Sequence, residues 1–459
     1  MTWPLTPGKL GFMLDRVLVA LKRGTLDTPQ ALISEGGRLH TLNTAADGAQ
    51  LSAFGRLRVA EANTLFDAQQ EYGLNTRTVW GAAANGTLAA AASDGSASNG
   101  GNAVGPTATD TRMTPITVTA TDTHYAILQS KQYVRYIPGK GHLIYVTGVF
   151  AAGAGATAAI TLRSSTSGTA VDTVVQQADW SEDPFDGTGA SGVTLDFTKV
   201  QVLVIDAQML YSGRVRVGFD IDGLLYYAHS FNIANNQAVP TLQTFNLPVR
   251  LEGRTGASST TFRAGYFDLA NGVFLETTRT TKGGTINFIC CSVQSEGGKE
   301  ARGFPRGAGN GVTTVAVTTR RPVLSVRPKA TFNSRTNRAH IELMNAVLRA
   351  TTNDSYFEIV LGGTLTGAAF ASVDADSVTE VDVAATAITG GVTIAAGTAI
   401  SGAGANALLT TGELDTRTPL TLAQIDALTA TQTTVSVVCT SFSGTSNIAA
   451  ELNWHEQSV

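Results

Sequence analysis

Residues 214–222, Arg-Val-Arg-Val-Gly-Phe-Asp-Ile-Asp, decide the fold. Charged or small side chains alternate there with Val215, Val217, Phe219 and Ile221. That period of two fits a strand with one face turned to a core. Asp222-Gly223 follows, a pair that tolerates the left-handed backbone of a tight hairpin, and Leu224 to Ala228 returns as the second strand. Outward from this hairpin, 114–121 is β-branched at alternate positions, 142–150 (HLIYVTGVF) is mostly apolar, and 202–205, 261–267 and 285–293 read as strands. Residues 133–136 lead into a turn at Pro138-Gly139. Helical periodicity is sustained nowhere between 112 and 330. About eight short strands in this stretch predict a jelly-roll-like antiparallel β-sandwich over 112–303.

The flanking segments read differently. Leu10, Leu14, Val17, Leu18 and Leu21 share one face of a short helix over 8–23. The apolar pieces that follow it are too short to make a core, so 1–80 is expected to be an extended arm. Residues 81–111 are almost all Ala, Gly, Ser, Asn and Thr and read as a linker. Residues 304–330 read as a connector, and 331–459 as a second, smaller C-terminal β domain with a short helix over 421–428 capped by Thr421. The expected class is all-β: an N-terminal arm with one short helix, a jelly-roll-like sandwich, and a smaller β domain.

Composition narrows the function. The chain has 459 residues, a net charge of −4 and only 15% charged residues, which gives no field for gathering nucleic acid and suits surfaces covered by partners. Mean hydropathy is +0.07, yet no uncharged apolar run is long enough for a membrane-spanning helix. Asp15 and Arg16 interrupt the first apolar stretch, so no secretory leader is expected. The three cysteines, Cys290, Cys291 and Cys439, are expected to be buried reduced thiols. Six scattered histidines, no CxxC, no phosphate loop and no nucleophile elbow lead us to expect no catalytic, cofactor or metal site. Glu182, Asp183 and Asp186 in SEDPFDG are the carboxylates a glycosidase would need, but the same pattern is an ordinary turn. Of 32 basic residues, 24 are Arg, the residue favoured at interfacial ion pairs. Subunit contacts are therefore expected of Arg56, Arg58 and Arg320-Arg321 ahead of nucleic acid. Tyr125, Tyr133, Tyr136, Tyr145, Tyr226 and Tyr227 form either a sugar-stacking platform or inter-sheet packing, with packing favoured.

One stretch, SAFGRLRVAEANTLFDAQQEYGLNTRTVW at 52–80, followed by QSKQYVRYIPGKGHLIYVTG at 129–148, resembles a block shared by virion structural proteins of tailed bacteriophages. There an "FGRLRV…TLFD" arm precedes a "Y.RY.PGK" strand–turn–strand. The likeness covers about the first third of the chain and carries no active site with it. It implies a non-enzymatic structural part of a virion, assembled in the bacterial cytoplasm and exposed on the particle. The implied role is a tail- or neck-attached fibre or spike, with capsid decoration as the alternative. A receptor-glycan lectin or glycan hydrolase is the alternative from another class. The expected partners are further copies of the chain, as a homotrimer, other tail, neck or capsid proteins, and a host surface glycan. Phe54, Arg56, Leu57, Arg58, Val59, Leu65 and Phe66 are the candidate particle-anchoring residues.

Overall fold

In the computed structural model Asp222 and Gly223 have φ of +54° and +84°, the mirror-image turn that matches the twist of paired strands. It joins Val215–Ile221 to Leu224–Phe231, with Ile221 opposite Leu224, and the Gly223 N–H donates to Asp220 Oδ1 at 2.9 Å. The structure describes residues 30–35, 38–43, 63–69, 80–84, 87–88, 97–99, 101–105, 113–136, 140–208 apart from 152, 154–155 and 165–168, 212–241 apart from 239, 246–255, 262–268, 272–295, 303–402 apart from 312, 407–410, 421–423 and 426–457. Every ladder among them is antiparallel. The fold is all-β, as the alternation at 214–222 predicts.

The chain divides into two compact units, residues 1–62 and 63–459. In the first, Gln30–Glu35 and Arg38–Asn43 form a two-stranded hairpin with Glu35 opposite Arg38. The helix expected over 8–23 lies outside the described residues.

Among its described residues the second unit holds two large hydrophobic cores and a small cluster of Val360, Ile388 and Val438. The first core sits between a nine-stranded and an eight-stranded sheet. The nine-stranded sheet runs from Leu224–Phe231 through Val215–Ile221, Gln201–Ala207, His142–Val149 and Gly284–Ser295 to Thr114–Val118 and beyond. The eight-stranded sheet runs from Val171–Gln176 through Thr157–Ser164, Val273–Arg279, Phe262–Asp268, Val249–Thr255 and Tyr125–Ser130 to Trp80–Ala84 and Thr87–Leu88. The chain crosses repeatedly between the two sheets, the habit of a jelly roll. Val217 and Phe219 are fully buried. Phe219 meets Phe185 edge-on at 5.3 Å and Phe197 at 5.9 Å between centroids, the offset geometry aromatic rings favour. Gly218 marks a bulge, where a Cβ would stand 2.2 Å from the Tyr226 carbonyl oxygen.

The second core, built on Trp454, Leu452, Val437 and Ile359, fills a smaller sandwich. One of its sheets centres on Ser446–Gln457 beside His340–Ala350, the other on Arg321–Pro328, Val435–Ser441 and Ser355–Leu361.

Four expectations need correction. The arm does not reach residue 80, because Asn63–Gln69 pairs with Gly284–Ser295 and Trp80–Ala84 with Tyr125–Ser130. The linker at 81–111 supplies strands to both sheets, with Ala82, Ala84 and Val104 in the core. The connector at 304–330 is also strand: Phe304–Gly309, Val315–Val317 and Arg321–Pro328 belong to the second sandwich. Finally, the described residues of 421–428 are not helical. Thr421–Ala423 is a strand on His340–Ala350, and the capping residue is Asp426, whose Oδ1 accepts from the N–H groups of Leu428 and Thr429 in a single turn.

Candidate functional site

The segment 129–136 of the quoted motif is where the two sandwiches of the second unit meet. After Tyr125–Ser130 the backbone leaves its ladder, and its N–H groups find partners elsewhere: Val134 donates to the Leu247 carbonyl at 3.0 Å and Tyr136 to Asn246 Oδ1 at 2.8 Å. The Gln129 side chain bridges the two bodies. Its Oε1 accepts from Arg250 Nε at 2.8 Å, and its Nε2 donates to the Ala427 carbonyl at 3.0 Å. The Ala427 N–H in turn donates to the Lys131 carbonyl at 2.8 Å. Leu428 lies against Gly81, where a Cβ would stand 2.5 Å from Leu428 Cδ2, so any larger residue there would have to displace the leucine side chain.

Beside this strap sits a polar group. The Arg338 guanidinium lies 5.6 Å from the centroid of the Tyr133 ring. The buried His340 ring donates to the Tyr133 carbonyl. Burial, reinforced by the Arg135 cation, pushes the His340 pKa down to about 4, so the ring is neutral near pH 7. Arg135 is itself weakened as a cation by burial, with Glu342 acting in the opposite direction. Glu342 also accepts from Gln457 Nε2.

The carboxylates of SEDPFDG serve turns. Asp183 is buried, its Oδ1 accepting from the Phe185 N–H at 2.8 Å and its Oδ2 from the Ser191 N–H at 2.7 Å. Asp186 Oδ1 accepts from the Thr188 N–H at 2.9 Å and from its hydroxyl at 2.6 Å, and these bonds hold the exposed carboxyl below the usual range. Glu182 accepts from the Ser230 hydroxyl. His229 Nδ1 accepts from the Ser181 backbone N–H at 3.1 Å, so the Ser181 hydroxyl is not presented to that nitrogen as a nucleophile to its base.

The six tyrosines do not form one platform. Tyr133 and Tyr136 are buried, and Tyr226 packs on the first core. Tyr145 and Tyr227 are half-buried. The Arg216 guanidinium lies 3.8 Å from the Tyr227 ring centroid and 2.5 Å from Asp206 Oδ2, and the Tyr227 hydroxyl donates to the same oxygen at 3.3 Å. Burial, then Asp220 and Asp206, push the Tyr145 phenol up. The alternation at 214–222 implies an open face for Arg216, whereas its side chain is only 8% exposed.

Of the arginines expected at subunit contacts, Arg320 and Arg321 are engaged within the chain, and Arg56 and Arg58 lie outside the described residues. Arg320 bonds Glu358 at 2.8 Å and the Ile388 carbonyl, and Arg321 bonds the Ala316 and Ala385 carbonyls. Arg163, Arg254, Arg306 and Arg327 likewise pair with carboxylates of the chain. Cys291 and Cys439 are buried and form no disulfide, but Cys290 is only half-buried. Among the described residues no three His, Cys, Asp or Glu side chains converge as metal ligands, and no helix is long and apolar enough to cross a membrane. Of the anchoring candidates, Phe54, Arg56, Leu57, Arg58 and Val59 lie outside the described residues. Phe66 stands opposite Val293 in the sandwich, and Leu65 falls at the register shift beside it. Periodicity missed the seam because its partners, 338–342 and 427–428, lie some two hundred residues or more away; the one signal was the motif itself.

No family model matches the chain, and no curated protein matches it. Solved structures do show a likeness over about half of it. A carbohydrate esterase of the Shiga toxin-encoding bacteriophage phi24B is 11% identical, with 51% of this chain and 98% of the other covered at a TM-score of 0.18. The CBM2 module of the evolved Dit of Lactobacillus casei phage J-1 is 8% identical over 52% and 99% of the two chains, at 0.18. A lectin from Bauhinia forficata is 10% identical over 50% and 97%, at 0.16. At these scores the likeness carries no argument about function.

Proposed function

We propose that the chain is a non-enzymatic structural component of a tailed-phage virion: a tail- or neck-attached fibre or spike, assembled as a homotrimer and held to the particle by residues 1–62. One observation carries this reading. Residues 63–459 contain two filled cores, whereas the described part of residues 1–62 is a single two-stranded hairpin. An isolated hairpin is marginal in water and becomes stable against something else. The likeness of 52–80 to phage virion proteins supports another virion protein as that something. The test is immunogold labelling of purified virions with antibody to residues 63–459, alongside virions carrying the chain without residues 1–62. Label at the tail or neck that is lost with 1–62 is the expected result. Label spread over the head would make the chain a capsid decoration protein, and label on neither would overturn the assignment. Light scattering on the full chain reads the trimer.

A glycan-binding reading has one observation in its favour, the half-buried Tyr227 beside Arg216 and Asp206 on the outer face of the nine-stranded sheet. Loss of host-cell adsorption in Tyr227→Ala virions is its test.

A further inference from the structure

The seam between the sandwiches contains polar atoms that the protein leaves unmet. His340 is 5% exposed, and its ring donates to the Tyr133 carbonyl. A neutral ring that donates through one nitrogen has a lone pair on the other, and the buried Nε2 finds no partner among the described residues. Two residues earlier, Arg338 stands over Tyr133, and its buried Nε–H likewise finds no acceptor. Arg135 faces the same histidine, with Glu342 as the carboxylate acting on it. Among the described residues, Arg135 is the charge that acts on the His340 ring, Glu342 acts on Arg135, and Arg338 stands over Tyr133. A buried acceptor and a buried donor, both unmet and both on residues that contact Tyr133, cost free energy until a partner arrives.

We propose that this seam binds a small oxyanion that also bears a hydroxyl group, the pattern shared by hydrogen phosphate and by a hydroxy-carboxylate such as a sugar acid. Anionic oxygens accept from Arg338 Nε and from the Arg135 guanidinium, while the hydroxyl donates to His340 Nε2. The pairing requires the neutral ring. It also distinguishes this ligand from sulfate, which has the charge and the oxygens but no hydroxyl to donate near neutral pH. Binding there ties 129–136 of the first sandwich to 338–342 of the second, so the ligand stiffens the seam.

The experiment is isothermal titration calorimetry on the full chain at pH 7 with inorganic phosphate, glucuronate and sulfate in turn. Phosphate or glucuronate is expected to bind, and the tighter of the two identifies the source of the ligand. Sulfate is expected to bind at least ~10-fold more weakly, the loss of one hydrogen bond in a charged site. Arg338→Met is expected to weaken binding about 10- to 100-fold, and Arg338→Lys to restore only part of it, since lysine keeps the charge without Nε. Independently of any variant, the His340 Nε2 nitrogen resonance of the unaltered chain is expected to move when the ligand is added. Sulfate binding as tightly as phosphate would overturn the hydroxyl-to-Nε2 contact. No binding of either hydroxylated anion, with the His340 resonance unmoved, would overturn the site.

Discussion

Acid is expected to loosen the seam through His340, and the size of the effect follows from its surroundings. Burial and the Arg135 cation lower its pKa from 6.5 to about 4. In the unfolded chain the ring takes up a proton near pH 6.5, but in the folded chain only near pH 4. Between those values the unfolded state binds more protons, so stability is fully present above pH 6.5 and is lost as pH falls towards 4. At about 1.4 kcal/mol per pKa unit, the interval is worth roughly 3 kcal/mol. The assay is urea unfolding in phosphate-free buffer at steps from pH 7 to pH 4, on the full chain and on His340→Gln. Glutamine keeps a donor for the Tyr133 carbonyl but does not titrate. The variant is expected to lose roughly 3 kcal/mol less than the parent over this range. If the two chains lost stability in parallel, the buried neutral histidine would not be the cause.

Three further outcomes are expected. A chain starting at residue 63 folds with the circular dichroism of the parent second unit, whereas one starting at 112 aggregates, because it lacks Asn63–Gln69, Trp80–Ala84 and Asn102–Val104 from the two sheets. Asp183→Asn lowers the unfolding free energy by about 1–3 kcal/mol, since one of two backbone donors then faces an amide NH₂; Asp186→Asn, at an exposed turn, leaves the melting midpoint nearly unmoved. In native-state labelling with a thiol reagent at pH 8, Cys290 reacts ahead of Cys439, whose thiol is buried and pushed up to about 12.

What could be read from sequence was what depends on near neighbours. Asp222-Gly223 fixes its own turn, and Val215, Val217 and Phe219 reach the core whatever lies opposite. The alternation puts Arg216 on the face away from the core, and it is covered there by Asp206 and Tyr227, which come from other strands and leave no trace in the local pattern. Residues 81–111 were misread for a subtler reason: alanine and glycine are chosen both by flexible linkers and by strands pressed closely against neighbours. At 421–428 the capping chemistry was present, but it served one turn around Asp426 instead of a helix. The carboxylates of SEDPFDG were legible as turn acceptors, because their donors lie two to eight residues away. The seam was not, since nothing in YVRY announces His340 or Ala427.

The register of Asn63–Gln69 has a mechanical consequence. Asn63, where the second unit begins, pairs with Ser295 at the end of Gly284–Ser295. The first sandwich is thus entered and left at adjacent points of one ladder. A pull applied through residue 62 and residue 303 loads that ladder from one end. It strains the Asn63–Ser295 pair first, as when a zipper is opened, and the hydrogen bonds yield one after another instead of together. Little of the tension need travel through the core around Phe219. The large sandwich hangs beside the line of force as a side lobe, and optical-tweezer extension along that line should show a low-force peeling step before either core gives way.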